Sequence, residues 1–110
     1  MKTDKPYLTH IKDECQYLLE KSAQMTFEAF IADETTTRAF VRSLEIIGEA
    51  VKNISPDFKN MHPEIPWKEI AGTRDKLIHD YFGVNYKIVW ESIKKDIPKL
   101  KQQIENILQA

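Results

Sequence analysis

The residues from 73 to 83 concentrate side chains that can do acid–base and electrostatic chemistry. Arg74 carries a permanent positive charge, and His79 can exchange a proton near neutral pH. Asp75 can accept a hydrogen bond from an imidazole and fix its tautomer, and Tyr81 adds a phenol two residues after the histidine. The rest of the chain must supply the elements that position these groups.

A helix from about 66 to 82 is predicted to carry them, with Pro66 at its start and Phe82-Gly83 at its end. Steps of three and four residues give its core face as Ile70, position 74, Leu77 or Ile78, and Tyr81. Arg74 interrupts this apolar series. Because an unpaired guanidinium is costly to bury, Arg74 must contact a carboxylate such as Glu45 or Glu49, an anion, or a polar groove between subunits.

On a continuous helix, His79 lies about 140° around the axis from Arg74, so the two side chains of one chain do not share a face. A two-fold dimer resolves this, because a groove at the symmetry axis receives residues from both copies. Asp75 is four residues before His79 and shares its face; it either orients the imidazole or forms an ordinary ion pair at the helix end.

Apolar periodicity and capping residues predict helices over most of the remaining chain. The predicted elements are a helix from about 7 to 22, a short helix capped by Thr26, a central helix from about 36 to 53, a short turn after Ser55-Pro56, and a final helix capped by Asn85 and kinked at Pro98. No alternating strand pattern is present. The chain of 110 residues is therefore expected to form a single all-α domain, residues 1–110.

Composition narrows the partners and the compartment. Sixteen Lys and Arg residues against seventeen Asp and Glu leave a net charge of -1, so any contact with a polyanion must be local. The one local basic concentration is Lys94, Lys95, Lys99 and Lys101, which is either a solvated face or a surface that touches a phosphate backbone. A second strip on the central helix is either solvated, faces a partner or lines a site; it consists of Arg38, Arg42, Glu45 and Glu49.

A single cysteine, Cys15, excludes an intrachain disulfide and a Cys/His metal cluster, and we expect it to be buried. His62 has no second ligand at suitable spacing, so neither a metal nor a cofactor is predicted. No signal peptide or membrane-length apolar run is visible. We therefore expect a soluble, cytoplasmic protein.

Arg74, His79 and Tyr81 together spell the RxxxxHxY motif of the HEPN superfamily. The flanking blocks at 44–50, 62–67 and 70–84 resemble the HepT toxin family in order and spacing, and the similarity covers about residues 7 to 108. The three blocks, taken together with the short motif, carry the resemblance.

The resemblance implies an antiparallel bundle of four main helices plus short helices, the HEPN fold, which forms a homodimer with the two motif helices at the interface. It further implies a metal-independent endoribonuclease, the toxin of a type VII toxin–antitoxin pair, with Arg74 and His79 catalytic. The supporting role of Asp75 is an expectation from its spacing to His79 and not from the resemblance. The implied partner is a minimal nucleotidyltransferase antitoxin that transfers AMP to Tyr81. The alternative is a non-catalytic helical module for protein interaction or nucleotide binding, in which Arg74 holds a phosphate or a partner's carboxylate.

Overall fold

The computed structural model describes residues 3–73, 78–79 and 83–110, and for residues 78–79 it describes the backbone alone. Within this part of the chain the elements are α1 (Lys5–Ser22), α2 (Phe27–Ala32), α3 (Glu34–Lys52), α4 (Pro56–Met61), α5 (Trp67–Ala71), β1 (Ile78–His79), β2 (Gly83–Val84), α6 (Tyr86–Lys95) and α7 (Ile97–Gln109). The prediction of an all-α fold is confirmed, and the arrangement is HEPN-like.

The core forms where α1 packs against α3 and α7, while α5 and α6 pack against α3. The apolar faces that periodicity predicts are buried. On α1 they are Leu8, Ile11, Cys15, Leu18 and Ser22, and on α3 they are Phe40, Leu44, Ile47 and Val51. No helix in the described part of the chain is both long and apolar enough to cross a membrane.

Side-chain caps determine where several helices begin. Thr26 accepts a hydrogen bond from the backbone N–H of Ala29, and Ser55 accepts one from Phe58. Asn85 accepts one from Ile88 at the start of α6. Caps of these residue types typically stabilise a helix by about 1 kcal/mol because they satisfy a free N–H group. All three were predicted from the sequence.

The continuous helix predicted over residues 66–82 is wrong. Helix α5 ends at Ala71, and Ile78 and His79 pair antiparallel with Val84 and Gly83. The ladder uses backbone groups that a helix would bond within itself. Gly83 makes this possible, because its φ of 77° lies in the left-handed region that glycine occupies without a steric penalty.

The single final helix that was predicted is divided at Asp96 into α6 and α7. Pro98 lies in the first turn of α7, where its missing N–H needs no helical acceptor. The Pro98 ring would meet the carbonyl of residue 94 in a straight helix, and Pro98 cannot donate a hydrogen bond to that carbonyl. Asp96 nevertheless keeps right-handed helical angles, and its N–H donates to the carbonyl of Ser92, so this interruption is the kink that Pro98 predicted. The apolar face nevertheless continues through both helices and is buried at Val89, Ile93, Ile97, Leu100 and Ile104.

Candidate active site

Three of the predicted site residues, Arg74, Asp75 and Tyr81, lie outside the described residues, and so does the side chain of His79. The His79 backbone is extended and not helical. Its predicted angular relation to Arg74 and its helical spacing from Asp75 therefore do not hold. What the structure does describe is how each flank of this segment is positioned.

Helix α5, which leads into the segment, rests closely on α3 at Gly48. A Cβ atom at Gly48 would lie 3.5 Å from the carbonyl oxygen of Ile70 and 3.7 Å from that of Ala71. These are ordinary van der Waals distances, so an alanine would fit here, whereas a longer side chain would meet the α5 backbone. This contact sets the distance between α5 and α3 at Ala71, two residues before Thr73.

The N-terminal end of α5 is held by contacts with the loop that precedes it. The indole Nε1 of Trp67 donates to the carbonyl of His62 over 2.9 Å, and Nε2 of Gln103 on α7 donates to the carbonyl of Glu64 over 3.2 Å. The His62 ring lies 4.6 Å from the Phe58 ring, and its Nδ1 is 3.3 Å from Glu64 Oε1. His62 therefore acts as part of this brace.

No group of three or more His, Cys, Asp or Glu side chains among the described residues is arranged to hold a metal ion. That the protein needs no metal stays a prediction.

The chain leaves the segment at a second fixed point. Gly83 pairs with His79, Val84 pairs with Ile78 and packs against the core, and Asn85 caps α6 immediately afterwards. The backbone of His79 is thus tied to the start of α6. The motif is anchored on one side by α5 and on the other by the ladder and α6.

A groove of about 400 Å³ opens between α3, α5 and the junction where α6 meets α7 at Asp96. We call it the central groove. Both flanks of the motif segment contribute to it, through Thr73 on one side and Ile88 on the other. Its apolar lining consists of Leu44, Ile47, Pro66, Ile70, Ile88, Ile97 and Leu100. Its polar lining consists of Glu69, Thr73, Ser92, Lys95, Asp96, Lys99 and Gln103.

The predicted lysine cluster is divided by the fold. Lys94 donates to the carbonyl of Ser22 over 2.9 Å and lies 4.8 Å from the centre of the Trp90 ring, so it fastens α6 to the end of α1. Lys101 pairs with Glu105 over 3.2 Å. Lys95 and Lys99 are exposed, line the central groove, and form no hydrogen bond or ion pair in the part of the chain that the structure describes.

Two other predictions concern residues away from the groove. Cys15 is buried as expected, and burial raises the pKa of its thiol to about 12, so the thiol stays protonated near neutral pH. The charged strip on α3 is largely solvated: exposed pairs join Arg38 to Glu34 at 2.6 Å and Lys52 to Glu49 at 3.6 Å. Such exposed pairs contribute little stability.

The groove was not predicted. Leu44, Ile47, Ile97 and Leu100 were expected as core residues; they are buried as expected, and they also line the groove. The junction of α6 and α7 at Asp96 forms part of the groove wall. The combination of Asp96 with Pro98 was the available signal for it.

An all-α HEPN-like fold with an RxxxxHxY motif between two anchored flanks defines the class of protein. The family model described as "Ribonuclease HepT-like" matches residues 11–107, and the chain belongs to this family. No solved structure matches the chain.

Named relatives agree with the family. The chain is 61% identical to "Putative RNase TTE0752" of Caldanaerobacter subterraneus subsp. tengcongensis, over 99% of this chain and 97% of the relative. It is 48% identical to "Probable ribonuclease HepT" of Thermococcus cleftensis, over 96% of each. It is 44% identical to "Putative RNase MJ0127" of Methanocaldococcus jannaschii, over 93% of this chain and 84% of the relative.

Proposed function

We propose that this member of the HepT-like ribonuclease family is a metal-independent endoribonuclease and the toxin of a type VII toxin–antitoxin pair. The observation that carries the proposal is the match to the ribonuclease family over residues 11–107, which includes the RxxxxHxY motif. The relatives named as RNases support the same activity.

Arg74 and His79 have complementary chemical roles in this proposal. His79 removes the proton from a ribose 2′-hydroxyl, because an imidazole can exchange protons near neutral pH, and the 2′ oxygen attacks the adjacent phosphorus. Arg74 stabilises the negative charge that develops on the phosphorane oxygens. The 5′ oxygen then leaves and takes up a proton, so the products are a 2′,3′-cyclic phosphate and a 5′-hydroxyl.

The active form in this proposal is a homodimer whose site combines residues of both copies. Support comes from the family resemblance, which implies a dimer with the two motif segments at its interface. Asp75 remains the candidate that orients His79, now because of its closeness in sequence and no longer because of helical spacing.

Direct evidence for catalysis would come from RNA cleavage by purified wild-type protein, Arg74→Ala and His79→Ala. Each substitution should slow cleavage by roughly 100-fold or more, because a positioned base alone contributes about that factor. Arg38→Ala and His10→Ala are matched controls, since both remove an exposed side chain of the same type outside the motif. Unchanged cleavage in both motif variants would leave the non-catalytic module as the function.

Regulation by the antitoxin is proposed to act at Tyr81. A nucleotidyltransferase partner would transfer AMP from ATP to the phenol, and the added phosphate would repel a phosphodiester near His79, two residues away. Intact-mass measurement after incubation with the partner and ATP should show added AMP in the wild type and none in Tyr81→Phe. Equal mass shifts in both proteins would place the modification elsewhere.

A further inference from the structure

We propose that the central groove is a nucleotide subsite, which holds one unstacked base of single-stranded RNA against its apolar wall while Lys95 and Lys99 contact the adjoining phosphates. This rests on the proposed function, in that RNA is taken to be the substrate. It adds where the RNA lies and which form of RNA is recognised.

The size and lining of the groove fit a base. Its volume of about 400 Å³ lies within the range of roughly 300–1,000 Å³ that is usual for small-molecule sites. Ile70 and Ile88 are half-buried on its wall and offer apolar contact to a base face. Duplex RNA keeps its bases stacked and paired, so a site of this kind selects single strands.

The polar lining matches the edges of a base and its phosphates. Lys95 and Lys99 have no other partner among the described residues, so their charges are available to an anion. Glu69 and Asp96 are acceptors for the exocyclic amino groups of bases, and the Asp96 side chain does not cap α7. The lysine ammonium groups thus suit the phosphates of a nucleotide, and the carboxylates suit the amino groups of its base.

The position of the groove connects it to the chemistry. Thr73, which lines it, is the residue immediately before Arg74, and Ile88 follows β2 by four residues. An RNA strand bound in the groove therefore reaches the motif at Thr73, next to the C-terminal end of α5. By contrast, Lys94 and Lys101 are not among the residues that line the groove, and they contact Ser22 and Glu105 instead.

The test measures RNA binding separately from cleavage, by fluorescence anisotropy in the His79→Ala background with a short fluorescein-labelled single-stranded RNA of mixed sequence. Lys95→Gln with Lys99→Gln should weaken binding roughly tenfold and lower the slope of log affinity against log salt by about 1.4, since each phosphate contact on a single strand contributes about 0.7. The control pair Lys5→Gln with Lys21→Gln changes the charge equally on exposed positions of α1, away from the groove. It should leave affinity and slope near their starting values.

A second variant tests the base itself. Ser92→Trp fills the groove without changing its charge, so it should weaken binding of the single strand while leaving the salt slope unchanged. Duplex RNA of the same sequence should compete poorly. Thermal unfolding monitored by circular dichroism verifies that each variant is folded.

Three results would overturn the proposal. The first is equal losses from the two lysine pairs, which would mean that general charge governs binding. The second is unchanged affinity in Ser92→Trp, or equal competition by duplex RNA. The third is a groove variant, either the Lys95 and Lys99 pair or Ser92→Trp, that binds RNA as the wild type does but has a different oligomeric state. That result would make the groove an interface between copies of this chain. Continued cleavage by Arg74→Ala and His79→Ala, in contrast, would refute the proposed catalysis and leave the binding result standing.

Discussion

At the scale of single residues, Cys15 shows how strongly this core controls ionisation. It is fully buried on the core face of α1, and the loss of hydration raises its thiol pKa from 9.0 to about 12. The nearby carboxylates of Glu14 and Glu105 raise it further, while Lys101 opposes them. The native state therefore favours the neutral thiol over the thiolate.

This shift predicts a pH dependence of stability. Below about pH 9 the thiol is protonated in both states, so stability is unaffected; above it the unfolded chain loses the proton while the folded chain keeps it. The free energy of unfolding should then fall by about 1.4 kcal/mol per pH unit. Urea unfolding of wild type and Cys15→Ala between about pH 8 and 10 measures the difference in slope. Parallel slopes in the two proteins would show that the folded thiol pKa is not raised.

At the scale of elements, the placement of α5 decides how the chain enters the motif. Its height depends on Gly48 of α3, and its outer end depends on the Trp67 and Gln103 hydrogen bonds to the preceding loop. The contacts of Gly48 with Ile70 and of Gln103 with Glu64 join residues far apart in sequence, whereas Trp67 bonds a residue five positions before it. A change at Gly48 should thus alter the position of the motif segment.

Gly48→Leu should destabilise the fold by roughly 1–3 kcal/mol, because the side chain must displace the backbone of α5. It should also slow RNA cleavage through the shift of α5. Gly48→Ala is the matched control: its Cβ meets the Ile70 oxygen at 3.5 Å, an ordinary contact, and alanine favours the helix by roughly 0.5–1 kcal/mol. Denaturant unfolding and cleavage rates test both. Wild-type behaviour of Gly48→Leu would mean that this contact does not position α5.

The elements that sequence predicted well are those set by local chemistry. Helices α1 and α3 follow from apolar spacing, and Thr26, Ser55 and Asn85 cap where their residue types indicate. The helix over 66–82 failed because the pairing of His79 with Gly83 competes with it, and helical periodicity does not report such pairing.

The lysine cluster was predicted only in part for the same reason. The acceptor of Lys94 is the carbonyl of Ser22, which is 72 residues away in sequence. The fold therefore decides which of the four lysines remain available, and it leaves Lys95 and Lys99 at the groove.

At the scale of the whole molecule, each active site of the proposed dimer takes Arg74 from one copy and His79 from the other. A heterodimer of Arg74→Ala with His79→Ala, isolated through two different tags, retains one site in which both groups are intact if each site takes them from different copies. It should recover about half of the wild-type cleavage rate. The two mutant homodimers, handled identically, provide the baseline. A heterodimer as inactive as its parents would place Arg74 and His79 of each site in the same copy.

The central claim is that RNA is cleaved through its own 2′-hydroxyl without a metal. The direct measurement is mass spectrometry of the fragments formed when the protein digests a defined RNA in the presence of EDTA. Catalysis by His79 and Arg74 predicts cleavage with 2′,3′-cyclic phosphate and 5′-hydroxyl ends, and no cleavage where the 2′-hydroxyl is replaced by hydrogen. Fragments with 3′-hydroxyl and 5′-phosphate ends, or cleavage that stops in EDTA, would contradict it.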